Sequence, residues 1–280
     1  MIYKNIFKIP IVLNILMEIK KEFSDIKGIL SDIDGTLYFK GSPIPGAIET
    51  VSILREMGLK ILFFTNTDSK SPKTVLKVLR NYGFSITEEE VFTPIIALKE
   101  FLTKFPNKKL FFVTTVEVEE EFQKFPKVTG SEIPDFVIIG DFHDNWDVNR
   151  LNQAFKYVFN GANLLGTQGN RYYLDKLGEP VIDTGSFVEM IANAANVEYK
   201  IFGKPSKEFF LQALKMINLE SEEVLVIGDD IESDIQGAKN AAIKGVLVKT
   251  GKGQYYNSKT SNIKPYKVID SFNILIELLK

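Results

Sequence analysis

Asp32 and Asp34 stand two residues apart in Asp32-Ile33-Asp34-Gly35-Thr36-Leu37, directly after the apolar run Gly28-Ile29-Leu30. Side chains of an extended segment alternate with period two, so both carboxylates leave the chain on one side and can converge on one point. Two carboxylates this close resist ionising together unless a cation lies between them or one keeps a proton. The pair therefore points to a metal and to acid–base work. Gly35 permits a sharp turn off the end of the strand. The plain alternative is an Asx-type turn in which the aspartates only bond local backbone.

Three further segments supply what such a pair lacks. The run Gly58-Leu59-Lys60-Ile61-Leu62-Phe63-Phe64 reads as a buried strand ending in Thr65-Asn66-Thr67, whose hydroxyl and amide donors suit a phosphate. Tyr199-Lys200-Ile201-Phe202 leads into Gly203-Lys204-Pro205-Ser206, which fixes one lysine between a flexible and a stiff residue. Pro205 suits the first turn of a helix over 206–217. Lys204 so held can neutralise charge between an attacking carboxylate and a phosphate. Glu223-Val224-Leu225-Val226-Ile227 is apolar in the manner of a parallel-sheet strand and opens into Gly228-Asp229-Asp230-Ile231-Glu232-Ser233-Asp234. Carboxylates clustered after such a strand fit a hard cation. Singly, the lysine fits a surface residue and the acidic loop a solvated turn. In sequence, the four parts describe phosphoryl transfer.

In their order these segments resemble the four motifs of the haloacid dehalogenase superfamily, over about residues 28–253. The long interval between Asn66 and Lys204 resembles the type II members, which insert an α/β cap there. Ile44-Pro45-Gly46-Ala47-Ile48-Glu49-Thr50-Val51 is similar to the branch holding 4-nitrophenylphosphatases, pyridoxal phosphatase and nucleotide-specific phosphatases. Within that branch, four segments resemble the group typified by phospholysine phosphohistidine inorganic pyrophosphate phosphatase. They are Gly169-Asn170-Arg171-Tyr172-Tyr173, Gly203-Lys204-Pro205-Ser206-Lys207-Glu208-Phe209-Phe210, Gly228-Asp229-Asp230-Ile231 and Lys249-Thr250-Gly251-Lys252. The resemblance implies an α/β fold: a Rossmann-like doubly wound parallel sheet as core, with an inserted α/β cap of the C2 type. It places the core at 25–92 and 197–280, the cap at 93–196, and an N-terminal extension at 1–24.

The same resemblance implies roles. Asp32 is the nucleophile that forms an aspartyl-phosphate, and Asp34 is acid toward the leaving group, then base toward water. Thr65, Asn66 and Lys204 hold the phosphate. Magnesium is held by Asp32, the Asp34 main-chain carbonyl and Asp229, with Asp230 or Asp234 supporting from behind. The implied activity is a magnesium-dependent phosphatase of small phosphorylated metabolites: phosphomonoesters, pyrophosphate or phosphoramidates. Asp34 favours phosphoester hydrolysis, because dehalogenase members lack this acid and phosphoryl-pumping ATPases carry threonine there. The competing reading is a catalytically weak protein that binds a phospho-ligand as a binding module. Candidate cap residues for reading the leaving group are Thr167, Gln168, Asn170, Arg171 and Tyr172, with the Asp183-Thr184-Gly185-Ser186 turn. Arg171 beside two tyrosines would favour a second anionic group. A homodimer through the cap is also implied.

Composition bounds the remainder. The chain has 280 residues, 45% of them hydrophobic, enough for two cores. A formal charge of −2 gives no basic excess for nucleic acid or an anionic membrane. With no cysteine, disulfides, thiolate zinc sites and thiol catalysis are excluded, and a cytoplasmic location is compatible. The sole histidine, His143, lies in Gly140-Asp141-Phe142-His143-Asp144-Asn145-Trp146, so multi-histidine metal sites and serine–histidine triads are set aside; it reads as solvent-facing or as a cap-loop residue near substrate. The apolar run 9–17 is too short to span a bilayer, and Glu18-Ile19-Lys20-Lys21 stands where a signal peptide would have small residues. An upstream start ahead of Met17 is the other reading. Pattern and turn residues predict helices over 45–57, 72–82, 148–160 and 271–279, and strands over 110–113, 136–139 and 242–248. All four motifs are then expected beyond carboxyl ends of strands, where open α/β sheets bind ligands.

Overall fold

The computed structural model describes residues 23–279 apart from Asn145 and Lys176, so the expected extension at 1–24 lies almost wholly outside the described residues. The first strands are β1 (Gly28–Ser31), a hairpin of β2 (Tyr38–Phe39) and β3 (Ser42–Pro43), β4 (Lys60–Phe64) and β5 (Val91–Phe92). Then follow β6 (Leu110–Val113), β7 (Phe136–Ile139), β8 (Asn163–Gly166), a hairpin of β9 (Tyr172–Leu174) and β10 (Pro180–Ile182), and β11 (Tyr199–Ile201). The chain closes with β12 (Val224–Gly228), β13 (Lys244–Val248) and β14 (Lys267–Ile269). Six strands form one parallel sheet in the order β14-β13-β12-β1-β4-β5, and four form a second in the order β11-β8-β7-β6.

Strand alternation sorts the apolar residues of the larger sheet between two faces. Ile29, Ile61, Phe63, Leu225 and Ile227 pack under the helices α1 (Ala47–Glu56) and α2 (Pro72–Asn81). Leu30, Leu62, Phe64 and Val226 join a cluster that continues without a break to Leu110, Phe112 and Ile138 of the second sheet. Both sheets thus share one apolar core, which explains why no change of composition marks a boundary in the sequence. The helices α3 (Pro94–Leu102), α4 (Val116–Glu120), α5 (Val148–Phe159) and α6 (Thr184–Ala195) belong to the stretch between the motifs; α5 and α6 cover the far face of the second sheet. Helix starts follow their caps: Ser71 accepts from the Thr74 amide with Pro72 in the first turn, and Asp147 accepts from Asn149 and Arg150. Beyond β11 come α7 (Lys207–Ile217), α8 (Gln236–Asn240) and α9 (Leu275–Leu279).

Three expectations change. Tyr199–Ile201, expected with the core, is an edge strand of the second sheet, paired in parallel with Leu164, Leu165 and Gly166. Its only inward residue, Ile201, packs on the second sheet's own cluster, so nothing draws it to the larger sheet. Lys204 therefore leaves a strand of the second sheet, whereas Asp32, Thr65 and Asp229 follow β1, β4 and β12. Pro205 sits before the helix, not in its first turn: the Lys204–Pro205 bond is cis and Ser206 is the N-cap residue. The segment 271–279 divides into a 3₁₀ turn, Phe272–Ile274, and α9. His143 is half-buried, its Nδ1 paired with Asp141 and its ring edge-on to Trp146 and Tyr173.

Candidate active site

Asp32 is the first residue past β1 and is anchored there by its amide, which donates to the Ile227 carbonyl at 2.8 Å. Its side chain meets Lys204 Nζ at 2.5 Å, and Thr36 Oγ1 donates to its other oxygen at 3.1 Å. Lys204 Nζ also reaches Asp234 Oδ1 at 2.6 Å. Asp234 lies in a single π-helical turn, Ile231–Ile235, the kind of local widening that redirects a side chain at a working site. Asp32, Asp229 and Asp234 each offer an oxygen within 4.8 Å of the others. Their exposures are 5%, 5% and 0%, and that of Lys204 is 2%.

Charge at this depth must be balanced. Burial by itself would depress the Lys204 pKa, yet Asp234 and Asp32 raise it above the ordinary lysine value, so the ammonium is fixed as a cation. Burial raises Asp229 well above the usual carboxylate range, and repulsion from Asp32, Asp234 and Asp230 adds to it. Asp234 is pushed up to about 7 by burial, against the pull of Lys204. Three carboxylates facing one ammonium leave surplus negative charge in an all-oxygen pocket. That donor set fits a hard divalent cation, which would offset the surplus.

Asp229 is caged by backbone: Oδ2 accepts the Lys252 amide at 2.5 Å, and Gly35 and Gly251 press on the carboxylate. A β-carbon at Gly251 would stand 2.0 Å from Oδ2 and one at Gly35 2.3 Å, and both glycines hold positive φ, 48° and 82°. Gly251→Ala is therefore expected to displace Asp229 and weaken binding of a divalent cation roughly tenfold, the scale of disturbed support around a metal ligand. Isothermal titration of the metal without substrate measures it.

Asp34 stands apart from this trio. Its carboxylate is exposed and accepts from Thr67 Oγ1 at 3.1 Å. Tyr38 also bonds it, and burial together with the Asp34 charge raises the tyrosine pKa. Thr65, buried, bonds Thr67 through its hydroxyl at 2.9 Å. Asn66 is turned from these residues. It donates to the Lys204 carbonyl at 2.9 Å and to Asn170 Oδ1 at 3.0 Å, and accepts from the Lys204 amide at 2.7 Å. Asp230 takes a different place from Asp234: it caps the π-helical turn and pairs with Lys252 Nζ at 2.6 Å. That ammonium and the Ser233 and Glu232 amides hold its carboxyl below the usual range although burial opposes them.

Of the cap candidates, Asn170 reaches the site through Asn66. Arg171 is exposed and pairs with Glu232 at 2.5 Å; Tyr172 lies under Lys252 Nζ, 4.8 Å from the ring centre, and accepts from it through its carbonyl at 3.0 Å. These two, with Glu189, Asp229 and Lys252, line a cleft of about 280 Å³ between the second sheet's loops and the core. Thr167 and Gln168 are fully buried and committed to Asp68 and the Asn170 amide. Asp183 caps α6. Tyr38 and Asp68 were not singled out by chemistry in the sequence, whereas Thr67 stood with Thr65 and Asn66 among the expected phosphate donors. Asp68 carried no signal in the sequence, because its partners Thr167, Thr184 and Asp141 lie 73 or more positions away.

A parallel-sheet core with its carboxylates, lysine and hydroxyl donors gathered at the strand ends defines a phosphoric ester hydrolase. The chain belongs to the haloacid dehalogenase-like hydrolase family: residues 29–125 match the family of that description, and 201–275 match the HAD-hydrolase-like family. It is similar to haloacid dehalogenase-like hydrolase domain-containing protein 2 of Mus musculus, 33% identical over 88% of this chain and 93% of that one. It is also similar to phospholysine phosphohistidine inorganic pyrophosphate phosphatase of Xenopus laevis, 31% identical over 91% of this chain and 94% of that one. Among solved structures, 4-nitrophenylphosphatase of Thermotoga maritima superposes with a TM-score of 0.84 at 26% identity, covering 92% of this chain and 99% of that one. The chain is thus a phosphatase of the haloacid dehalogenase type with an α/β cap. No helix among the described residues is long and apolar enough to cross a membrane.

Proposed function

We propose a magnesium-dependent phosphatase of small phosphorylated metabolites that works through an aspartyl-phosphate on Asp32. The observation that carries this is the buried Lys204 ammonium bridging Asp32 and Asp234, with Asp229 beside them. In this reading an Asp32 oxygen attacks phosphorus; a bond from aspartate to phosphorus forms as the bond to the leaving oxygen breaks. Asp34, at the surface edge of the site, gives its proton to that oxygen, then takes one from the water that hydrolyses the acyl phosphate. Such transfers are worth about 10² to 10⁴ in rate. Thr65 and Lys204 hold phosphoryl oxygens, while Asn66 keeps the Lys204 loop and Asn170 in place. Asp32, Asp229 and the Asp34 main-chain carbonyl would hold magnesium, which would supply the charge neutralisation that lets two anions meet. Asp234 holds Lys204 rather than substrate. Residues 93–201 act as the cap, its last strand delivering Lys204 to a core of 25–92 and 202–280.

Arg171 and Lys252 already have carboxylate partners, so simple monoesters are expected ahead of pyrophosphate. The test is phosphate release from 4-nitrophenyl phosphate, pyrophosphate, phospholysine, pyridoxal phosphate, phosphoglycolate and nucleoside monophosphates, with magnesium or with EDTA. Release that needs magnesium supports the reading. Release unaffected by EDTA overturns the metal's part in it, and silence across the panel returns the chain to the binding-module reading.

A further inference from the structure

Past the end of β4, residues 65–68 have partners that alternate. Thr65 and Thr67 bond each other, and Thr67 donates to Asp34, on the catalytic side. Asn66 and Asp68 face the inserted region. Asp68 is 3% exposed, and its Oδ2 accepts from Thr167 Oγ1 at 2.5 Å, Thr184 Oγ1 at 2.8 Å and the Asp141 amide at 3.1 Å. All three donors lie between residues 141 and 184, and no step above uses this carboxylate. Asn66, two residues earlier, ties the same segment to Asn170 and to the Lys204 backbone.

We propose that Asp68 is a positioning residue that fastens the phosphate-side segment Thr65-Asn66-Thr67 to the cap, so that seating of the cap and ordering of the phosphate site are one coupled event. The inference rests on the phosphatase reading of that site. The Thr65 amide on the Phe92 carbonyl and the Asn66 bonds hold the segment's start, and three donors converging on one buried Asp68 oxygen fix its far end against the cap. The groups around Asp68 are Asp183 and Asp141. Lys252 acts on Asp183, His143 pairs with Asp141, and Tyr173 faces both acids. Burial, then repulsion from Asp183 and Asp141, places the Asp68 pKa well above the carboxylate range. An acid with a raised folded pKa binds more protons folded than unfolded. Its contribution is therefore fully favourable below the unfolded carboxylate pKa and is lost as pH rises through the folded one.

Hydrogen exchange on the full chain tests this in wild type, Asp68→Asn and the double variant Thr167→Val/Thr184→Val, which alters nothing in segment 65–67. Coupling predicts that the double variant speeds exchange of amides 65–67 about tenfold. It also predicts weaker inhibition by inorganic phosphate and a parallel fall in kcat/KM on 4-nitrophenyl phosphate. Asp68→Asn should flatten the pH dependence of exchange at 140–144. Unchanged exchange at 65–67 in the double variant overturns the proposal and leaves Asp68 a packing residue. If that variant does not fold, Asp68→Asn decides alone: faster exchange at 65–67 supports the coupling and unchanged exchange refutes it. A wild type inactive on 4-nitrophenyl phosphate counts against the phosphatase reading of the site and not against the exchange result.

Discussion

Asp32→Asn is expected to lower phosphate release by more than about 10⁴-fold, the scale on which removing a covalent nucleophile acts. The fold should survive. The asparagine oxygen can still accept from Lys204 Nζ, which stands 2.5 Å away, and one of three crowded carboxylates is gone. The metal-free variant should therefore melt no lower than wild type. Activity and melting temperature measured side by side separate the two contributions. A variant that keeps even a hundredth of the wild-type rate would mean that Asp32 is not the attacking group.

Lys204→Met should cost both rate and stability. Methionine is close in length and apolar, so it leaves Asp32 and Asp234 buried without their shared cation. Breaking a buried pair from one side typically costs about 3 to 5 kcal/mol, far more than any exposed ion pair of this chain is worth. The loss should depend on pH with a definite sign. Burial holds Asp32 and Asp234 above the ordinary carboxylate range even with Lys204 present. Acids raised in this way favour folding at low pH and lose that contribution as pH rises, so the variant should be hurt least near pH 5 and most near pH 8. Urea unfolding at both values checks it. Adding Asp234→Asn to Lys204→Met should recover part of the stability but none of the activity. Equal losses at the two pH values would show that the carboxylates are not what Lys204 balances.

The candidate carboxylates Asp32 and Asp229 were legible because each follows an apolar strand. A strand end followed by a glycine at positive φ marks Asp32 and its turn locally, but the parallel pairing of β1 with β12 brings Asp229 to it, and the period of two did not bring Asp34 into the same group. The strands β1, β4 and β12 were equally plain, since a fully buried parallel strand is an unbroken apolar run. What the residues did not disclose depends on pairing across long separations. β11 looks like any short strand, and only its partner β8 assigns it to the second sheet. Asp230 and Asp234 are equivalent in sequence; a π-helical turn turns one toward Lys204 and the other toward Lys252. Arg171 offers a free charge on paper and meets Glu232 from sixty-one positions away. Thr167 and Thr184 read as substrate contacts because hydroxyls near a site usually are; Asp68 takes them instead.

The route by which Lys204 arrives bears on how such proteins diversify. Its strand hydrogen-bonds to the inserted sheet, so the insertion is not a cartridge that could be exchanged at its ends while the catalytic machinery stays behind. A chimera joined at residue 196 would separate β11 from its pairing partner and send the lysine in from an unsupported direction. A crossover placed beyond Ser206 would carry strand, lysine and sheet together. Recombination between relatives should therefore tolerate the later junction and reject the earlier one, which makes the insertion and its lysine a single heritable unit.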